Sequence, residues 1–324
     1  MHSDHQPAYQ PTNLIIGGLT GSGKNLISMK LVDFFRKNLK IEAEIINADS
    51  VQIYKDLKII ANHPSSDDYT FVQHHLYEIL EPFEKTSVAS WAEKAKSIIE
   101  NLNSENKIAI ICGGTGFYLD AIQNDITEIP SVPFSIRENV QKKFNIIGRE
   151  KFCEELSQLD PNLMKTLHKN NTQRLLRAYE VAIFTGKPLS EWWNTEKISQ
   201  NIQKNYKIFI LLPDRKLLRE IVIERTKKMI NSGAIEEVLE FFGHFPNYSG
   251  PLKKVIGYDE ILKFSEKKIS LNKCIDLIVT KTMQYAKRQS TWFRNKMPHA
   301  NFLYGFGNDE KIFEEIIKKY NFQK

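Results

Sequence analysis

The sequence has few cysteines, no long hydrophobic run and no block of like charge. Its three cysteines, Cys112, Cys153 and Cys274, lie far apart without a CxxC pair. This spacing argues against a disulfide framework or a thiolate zinc site and fits a reducing compartment. Apolar runs such as Ile108–Cys112 fall far short of the roughly 20 residues of a membrane span. The first dozen residues are polar and lack a secretory signal, so we expect a cytoplasmic protein.

Composition and charge describe an ordinary globular chain. Lys and Arg number 45 against 39 Asp and Glu, which gives a net charge of +6. Apolar residues make up 41% and charged residues 26% of the 324 positions. This length predicts two or three packing units, or one core with a large insertion. The mildly basic balance permits a nucleic-acid partner without requiring one.

Strand and helix patterns alternate in the first half of the chain, as in parallel βαβ units. The predicted strands there are Asn13–Gly17, Glu42–Asn47 and Lys107–Cys112, and the helices are Lys24–Lys37 and one capped by Thr86-Ser87 that runs to about Leu102. Helical patterns alone fill 136–193. A strand at Lys207–Leu212 and helices at Lys216–Ile230 and Leu271–Asn295 follow.

We therefore predict an α/β fold in which helices flank a P-loop-type parallel sheet and an all-helical domain is inserted. The predicted parts are a flexible N-terminus at 1–12, a core formed by 13–124 and 202–324, and a helical insertion at 125–201.

A glycine-rich segment lies between the first strand and the first helix. It reads Gly18, Leu19, Thr20, Gly21, Ser22, Gly23, Lys24 and Asn25. Glycines let backbone N–H groups converge on phosphate oxygens, the helix N-terminus adds its dipole, and Lys24 adds a charge. We therefore predict a phosphate or diphosphate site. Asn25 stands where a P-loop normally has the Ser or Thr that binds Mg²⁺, so Asn25 is either a poor metal ligand or a helix cap.

The third predicted strand ends in Gly113-Gly114-Thr115-Gly116, where a Walker B strand would end in Asp. The carboxylate that would hold ATP-bound Mg²⁺ is thus missing, which argues against a small-molecule kinase. These glycines would let the backbone approach a ligand closely, or they form a plain strand-end turn.

Asp49 follows the second predicted strand. Because the carboxyl ends of parallel strands line one crevice, Asp49 should lie beside the phosphate loop. It is a candidate general base, and the alternative is a turn or capping role. His74-His75 would point to opposite faces of a strand, which favours a solvated or hydrogen-bonded pair over a metal site.

Basic residues fall on two helical faces. Gln173, Arg174 and Arg177 share one face, and Gln284, Lys287, Arg288 and Thr291 share another. Such faces are usually solvated, but two of them in a chain with a phosphate site favour a nucleic-acid substrate.

From about Asn13 to Tyr304 the chain resembles the tRNA dimethylallyltransferases. The matching segments are the phosphate loop, Ala48-Asp49-Ser50 with Gln52 and Tyr54, His74-His75-Leu76, Gly113–Gly116, Gln173-Arg174 with Arg177-Ala178, Glu180-Val181, Thr185–Pro188, Arg225 with Met229 and Gly233, Gly257-Tyr258, Ala286–Gln289 and Thr291-Trp292.

The resemblance implies transfer of a dimethylallyl group from dimethylallyl diphosphate to N6 of the adenosine that follows the tRNA anticodon. It implies Asp49 as the base, Lys24, Thr115 and Arg225 as groups that hold the leaving diphosphate, and Mg²⁺ as cofactor. The helical insertion would grip the anticodon arm, and we expect a monomer. The implied tRNA contacts are Asp49, Ser50, Val51, Gln52, Thr115, Arg137, Gln173, Arg174, Leu175, Leu176, Arg177, Lys287, Arg288 and Gln289.

Several positions depart from the resembled family. Asn25 replaces Thr or Ser, the family's Gly-Thr-Ala-Lys-Pro reads Ile60–Pro64, Asn171-Thr172 lacks the usual acidic residue, and Met283 and Ile221 replace common arginines. The alternatives are therefore an isopentenyltransferase of free adenine nucleotides and a catalytically weakened tRNA-binding homologue.

Overall fold

The computed structural model of the protein describes residues 12–124, 129–194 and 206–320. The chain divides into one unit formed by Met1–Asn124 with Asn201–Lys324 and a second formed by Asp125–Gln200. The predicted flexible N-terminus lies outside the described residues except for Thr12, whose carbonyl accepts a hydrogen bond from the Tyr320 hydroxyl.

The first unit is built on a six-stranded sheet with the order β3-β2-β4-β1-β5-β6, and all its strand pairs are parallel. The strands are β1 Asn13–Gly18, β2 Ala43–Asn47, β3 His74–His75, β4 Ile108–Gly113, β5 Tyr206–Leu211 and β6 Asn301–Leu303. The predicted α/β fold class is confirmed. Each strand predicted from the sequence is present, with ends that differ by one residue.

Helices cover both faces of this sheet, because alternate side chains of each strand point to opposite sides. They are α1 Lys24–Phe34, α2 Lys58–Ala61, α3 Ser66–Phe71, α4 Val88–Ser104, α5 Gly116–Gln123, α10 Arg215–Met229, α11 Ile235–His244, α12 Tyr258–Ser265, α13 Leu271–Lys296 and α14 Glu310–Tyr320. Leu14 and Ile16 of β1 pack in the core that includes α1, and Ile15 packs in the core that includes α4 and α13.

Two helix ends show how local chemistry sets element bounds. The predicted cap of α4 is confirmed, since Ser87 Oγ accepts from the Ser90 N–H at 3.0 Å. The predicted first helix ends earlier than Lys37 as an α-helix, because its last turn, Phe35–Leu39, is π-helical and stops at Lys40 with φ 58°.

The second unit is helical in the residues described. Its helices are α6 Phe134–Leu159, α7 Pro161–Met164, α8 Thr172–Thr185 and α9 Leu189–Asn194. Gly148, with φ 75°, interrupts α6. The buried Asp160 carboxylate accepts from the Leu163 N–H at 3.0 Å and the Ser190 N–H at 2.8 Å, which joins α7 to α9.

Among the described residues, no helix has both the length and the apolarity to cross a bilayer.

Candidate active site

The phosphate loop, Gly18–Asn25, is held in a tight turn between β1 and α1. Gly21 and Gly23 have φ of 80° and 83°, in the left-handed region that favours glycine. The Gly307 N–H donates to the Ser22 carbonyl at 2.8 Å, and a Cβ on Gly307 would lie 2.0 Å from the Gly23 oxygen. The first amides of α1 have no intrahelical acceptor and remain available to an anion.

Lys24 places its ammonium group at this loop, where Nζ donates to the Leu19 carbonyl at 2.9 Å. Burial lowers the pKa of Lys24 from its ordinary value. Cys112 and Asp49 raise that pKa, and Arg225 lowers it, so these groups lie within electrostatic range of Lys24. A partly buried cation beside a helix N-terminus is suited to a phosphate group.

The backbone turn at Asp49 engages one oxygen of its carboxylate, and the other oxygen can take part in a reaction. Its N–H donates to Asn47 Oδ1 at 2.7 Å, and its Oδ1 accepts from the Val51 N–H at 3.0 Å. Asn47 is anchored in turn by donating to the Leu76 carbonyl at 2.9 Å. In the described part of the chain, no side chain or backbone group bonds to Asp49 Oδ2. The turn role weighed from the sequence is thus present, and it leaves a carboxylate oxygen that can accept a proton.

Thr115 joins the ends of β2 and β4. Its Oγ1 accepts from the Ser50 N–H at 3.0 Å and lies 3.3 Å from Ser50 Oγ, and its N–H donates to the Ala48 carbonyl at 3.1 Å. Thr115 therefore lies next to the turn that carries Asp49. The structure places the two predicted residues at adjoining strand ends.

The glycines around Thr115 leave room for protein atoms. A Cβ on Gly114 would lie 2.4 Å from Gln289 Nε2, and one on Gly116 would lie 2.2 Å from the Trp292 ring. The interpretation that the glycines admit a ligand is therefore corrected for Gly114 and Gly116, which admit side chains of α13. Gly113 lines the active-site cavity.

Gln289 uses both ends of its amide inside the protein. Its Oε1 accepts from the Thr20 N–H at 2.8 Å, and its Nε2 donates to the Gly114 carbonyl at 2.9 Å. The residue is 5% exposed. The Gln289 amide thus connects the phosphate loop to the end of β4. Gln289 also lines the active-site cavity, and its expected tRNA contact stays a prediction.

A cavity of about 850 Å³ brings together three of the four predicted catalytic residues, Lys24, Asp49 and Arg225, whereas Thr115 is not among the residues that line it. The phosphate loop, Asp49 and Arg225 of α10 line it, together with segment 61–65. Burial lowers the pKa of Arg225 from its ordinary value, and Asp49 raises it. The wall also carries Lys228, Asp68 and Glu224, so cations and carboxylates are equal in number there. The phosphate loop with Lys24 suits an anionic ligand, and Asp49 suits a proton-releasing reaction partner.

Asn25 has one end of its amide tied and the other unsatisfied. Its Nδ2 lies 3.4 Å from Asp68 Oδ2, which also caps α3 by accepting from the Ser65 N–H at 2.9 Å. Asn25 Oδ1 is buried and has no hydrogen-bond partner among the described residues. A hard oxygen without a partner beside a phosphate site fits Mg²⁺. Sequence reasoning missed Asp68, although the Ser65-x-x-Asp68 capping box was a visible signal.

The remaining predicted contacts of the first unit serve different purposes. Gln52 Nε2 donates to the Ala61 carbonyl at 3.1 Å and so fixes the 61–65 segment. Lys287 and Arg288 are exposed on α13, and Met283, one turn before Lys287, is buried.

In the helical unit, Arg137, Gln173 and Arg174 are exposed and Leu176 and Arg177 are partly buried. Arg177 lies 3.8 Å from Glu180; burial raises the pKa of Glu180, and Arg137 and Arg177 both lower it. The expectation for Leu175 is corrected, because its side chain is fully buried in this unit's core.

Comparison with known proteins extends the resemblance. A model of the IPP transferase family matches residues 52–296. A protein of Ehrlichia canis named tRNA dimethylallyltransferase is 38% identical over 308 residues, which cover 95% of this chain and 98% of that protein. A protein of the same name from Pelagibacter ubique is 37% identical over 284 residues, 88% of each chain.

Two solved structures are also similar. The full-length tRNA isopentenylpyrophosphate transferase of Bacillus halodurans has a TM-score of 0.65 and 26% identity, with 96% of this chain and 97% of that chain covered. A eukaryotic dimethylallyltransferase acting on tRNA has a TM-score of 0.79 and 25% identity, with 95% of this chain and 77% of that chain covered. The similarity therefore extends along nearly the whole chain.

Proposed function

This chain belongs to the IPP transferase family, and from that membership we propose that it transfers a dimethylallyl group from dimethylallyl diphosphate to N6 of the adenosine following the tRNA anticodon. One observation carries the proposal: the Asp49 carboxylate, Lys24 and Arg225 line the same cavity as the phosphate loop. The arrangement provides a proton acceptor and an anion site for one displacement reaction.

The reaction breaks the bond between the allylic carbon and the diphosphate oxygen and forms a bond from that carbon to N6. An exocyclic adenine amine is a weak nucleophile, and its attack places positive charge on nitrogen. Asp49 Oδ2, which the turn leaves free, takes the N6 proton. Because the other oxygen is held by the Val51 N–H, the carboxylate is oriented before substrate arrives.

The departing diphosphate gains negative charge as the bond breaks. Lys24, Arg225 and the amides at the start of α1 are the groups that stabilise it. The Thr20 N–H is not one of them, because it donates to Gln289. Asn25 Oδ1 would hold Mg²⁺, which supplies further positive charge to the diphosphate when bound.

The tRNA partner follows from chemistry as well as family membership. N6 of a stacked adenine is hidden, so the target base must leave its stack, and a flexible anticodon loop lowers that cost. Exposed basic residues on the helical unit and on α13 are suited to phosphate backbone. We assign the anticodon arm to these surfaces and propose that the enzyme acts as a cytoplasmic monomer.

Radiolabelled dimethylallyl diphosphate, mixed with purified protein and either an anticodon stem-loop or AMP, tests the proposal. We expect label in the stem-loop and its loss when the target adenosine is replaced by guanosine. Transfer to AMP at an equal rate would instead indicate the free-nucleotide enzyme. Absence of transfer to either acceptor, with tRNA still bound, would indicate the weakened tRNA-binding homologue.

A further inference from the structure

His63 lines the active-site cavity and has a polar atom that the protein does not satisfy. Its side chain is 3% exposed, and it lines the same cavity as Lys24 and Arg225. Within the described residues, the ring nitrogen Nε2 is buried and has no hydrogen-bond partner. Leaving a buried polar atom unpaired is unfavourable, so such an atom in a binding cavity points to a ligand contact.

The other edge of the ring is fixed. His63 Nδ1 lies 3.4 Å from Glu78 Oε1. A carboxylate oxygen only accepts, so Nδ1 carries the proton in the neutral ring and Nε2 carries the lone pair. Glu78 is itself held by an ion pair with Lys58 and by the Tyr69 hydroxyl at 3.0 Å. Glu78 thus fixes the ring orientation and can stabilise a doubly protonated imidazolium.

We propose that His63 binds the diphosphate of the prenyl donor through Nε2, which takes up one proton from solvent as the diphosphate enters. This inference rests on the proposed function, because it assigns a residue to that donor. The cavity wall carries three carboxylates, Asp49, Asp68 and Glu224, as well as the cations Lys24, Arg225 and Lys228. The phosphate loop with Lys24 is its anion site, because backbone N–H groups and a lysine suit phosphate oxygens. A bare Nε2 lone pair would repel a phosphate oxygen, whereas a protonated Nε2 donates to it.

The charges around His63 set the sign of this linkage. Burial lowers the pKa of His63 from its ordinary value, Lys58 lowers it further, and Glu78 and Asp49 raise it. The other charged groups on the cavity wall are Lys24, Asp68, Glu224, Arg225 and Lys228.

Without ligand the ring is therefore neutral near neutral pH, and an entering diphosphate raises the imidazole pKa. Binding must then draw in a proton. The His63 contribution to affinity grows as pH falls from the pKa in the complex to the pKa of the free protein.

Calorimetric titration with inorganic pyrophosphate tests the linkage between pH 5.5 and 8. Each pH is measured in two buffers of different ionisation heat, which yields the number of protons taken up. The proteins compared are wild type, His63→Gln and His63→Lys, whose charge does not titrate in this range. His74→Gln is the matched control, since His74 is also buried with an unpaired Nε2 but does not line the cavity.

We expect wild type and His74→Gln to take up more protons on binding than either His63 variant. Protons bound by pyrophosphate itself are common to all four proteins, so the difference between them reports on His63. His63→Gln should weaken pyrophosphate binding about tenfold at pH 6. The difference in affinity between this variant and wild type should become smaller as pH rises. His63→Lys should retain affinity without the extra proton, which also shows that the site is folded.

Equal proton uptake in wild type and both His63 variants, with a pH-independent affinity ratio, would overturn the proposal. That result would leave the proposed function intact if the wild type still alkylates the stem-loop. Conversely, proton-linked pyrophosphate binding without any transfer to RNA would contradict the proposed function and support the role of His63 in anion binding.

Discussion

At the residue scale, the two oxygens of Asp49 have separate tasks. Asp49→Asn keeps an oxygen that can accept from the Val51 N–H and removes the group that takes the proton. We expect the rate of transfer to fall about 10²–10⁴-fold without weaker binding of either substrate. Single-turnover transfer to tRNA at saturating substrates measures it. A rate within a few-fold of wild type would remove Asp49 from the mechanism.

Asn25 gives a second prediction at this scale. Its amide nitrogen lies 3.4 Å from Asp68 Oδ2, and its side chain is longer than the threonine that a P-loop normally has at this position. We expect Asn25→Thr to lower the Mg²⁺ concentration for half-maximal rate, because a short hydroxyl meets octahedral geometry more readily. Affinity for tRNA should not change. The measurement is the transfer rate of wild type and of Asn25→Thr as a function of Mg²⁺ concentration. Coincident curves for the two proteins would refute the metal role of this position.

The sequence was informative about single residues where a motif is local. The phosphate loop follows from contiguous residues, so Lys24 and its surroundings could be placed in advance. The contact of Asp49 Oδ1 with the Val51 N–H is also local and agrees with the turn role that the sequence offered for Asp49. The partner of Asn25 could not be placed, since its contact with Asp68 depends on the course of the backbone between them. The sequence marked His63 only as part of the Ile60–Pro64 segment, which departs from the pattern of the resembled family.

At the scale of elements, α13 has an inner and an outer face with different functions. Gln289 on the inner face holds the Thr20 N–H and the Gly114 carbonyl, and Lys287 and Arg288 are exposed. We expect Gln289→Leu to weaken donor binding about tenfold through loss of two buried hydrogen bonds. Affinity for tRNA should stay unchanged.

Equilibrium binding of dimethylallyl diphosphate and of tRNA to separate samples checks this prediction. Asn272→Leu, at an exposed position near the other end of the same helix, is the matched control and should alter neither affinity. Loss of tRNA affinity with normal donor binding would instead support the sequence-based prediction of Gln289 as an RNA contact.

The basic faces of α8 and α13 give a prediction about RNA. Replacing Arg174, Arg177, Lys287 and Arg288 by Ala should weaken tRNA binding and leave donor binding nearly unchanged. Each lost phosphate contact should reduce the log–log salt slope by about 0.7–0.9. Filter binding across salt concentrations measures it, with a variant lacking the exposed lysines Lys311 and Lys318 of α14 as control. Identical slopes for the quadruple variant and wild type would show that these faces do not touch the backbone.

Periodicity predicted elements better than it predicted their contacts. The glycines around Thr115 were interpreted as ligand-approach positions, but they accommodate Gln289 and Trp292 from a helix more than 150 residues further along the sequence. Leu175 was predicted to contact tRNA together with the adjoining residues of Gln173–Arg177. Its side chain on α8 instead points into the core of the helical unit. Both errors arise because a motif specifies residues and tertiary packing specifies which way they face.

At the scale of the whole molecule, the parallel fold follows from the alternation of strands and helices, since parallel strands need crossover helices. The edge strand β6, of three residues, was not predicted, because so short a run has no periodicity. The other edge strand, β3, is the His74-His75 pair, which was placed on a strand but not in the sheet order. The strand order places the ends of β2 and β4 on one side of β1, so that residues distant in sequence form one cavity.

The central claim is that this cavity alkylates an adenosine of tRNA, and mass spectrometry of nucleosides from bulk tRNA tests it most directly. The comparison is between the parent strain, a strain lacking this protein, and that strain carrying either the wild-type gene or Asp49→Asn. We predict that N6-dimethylallyladenosine and any nucleoside made from it vanish with the protein and return with the wild-type gene but not with Asp49→Asn. An unchanged nucleoside profile in the strain lacking the protein would contradict the account.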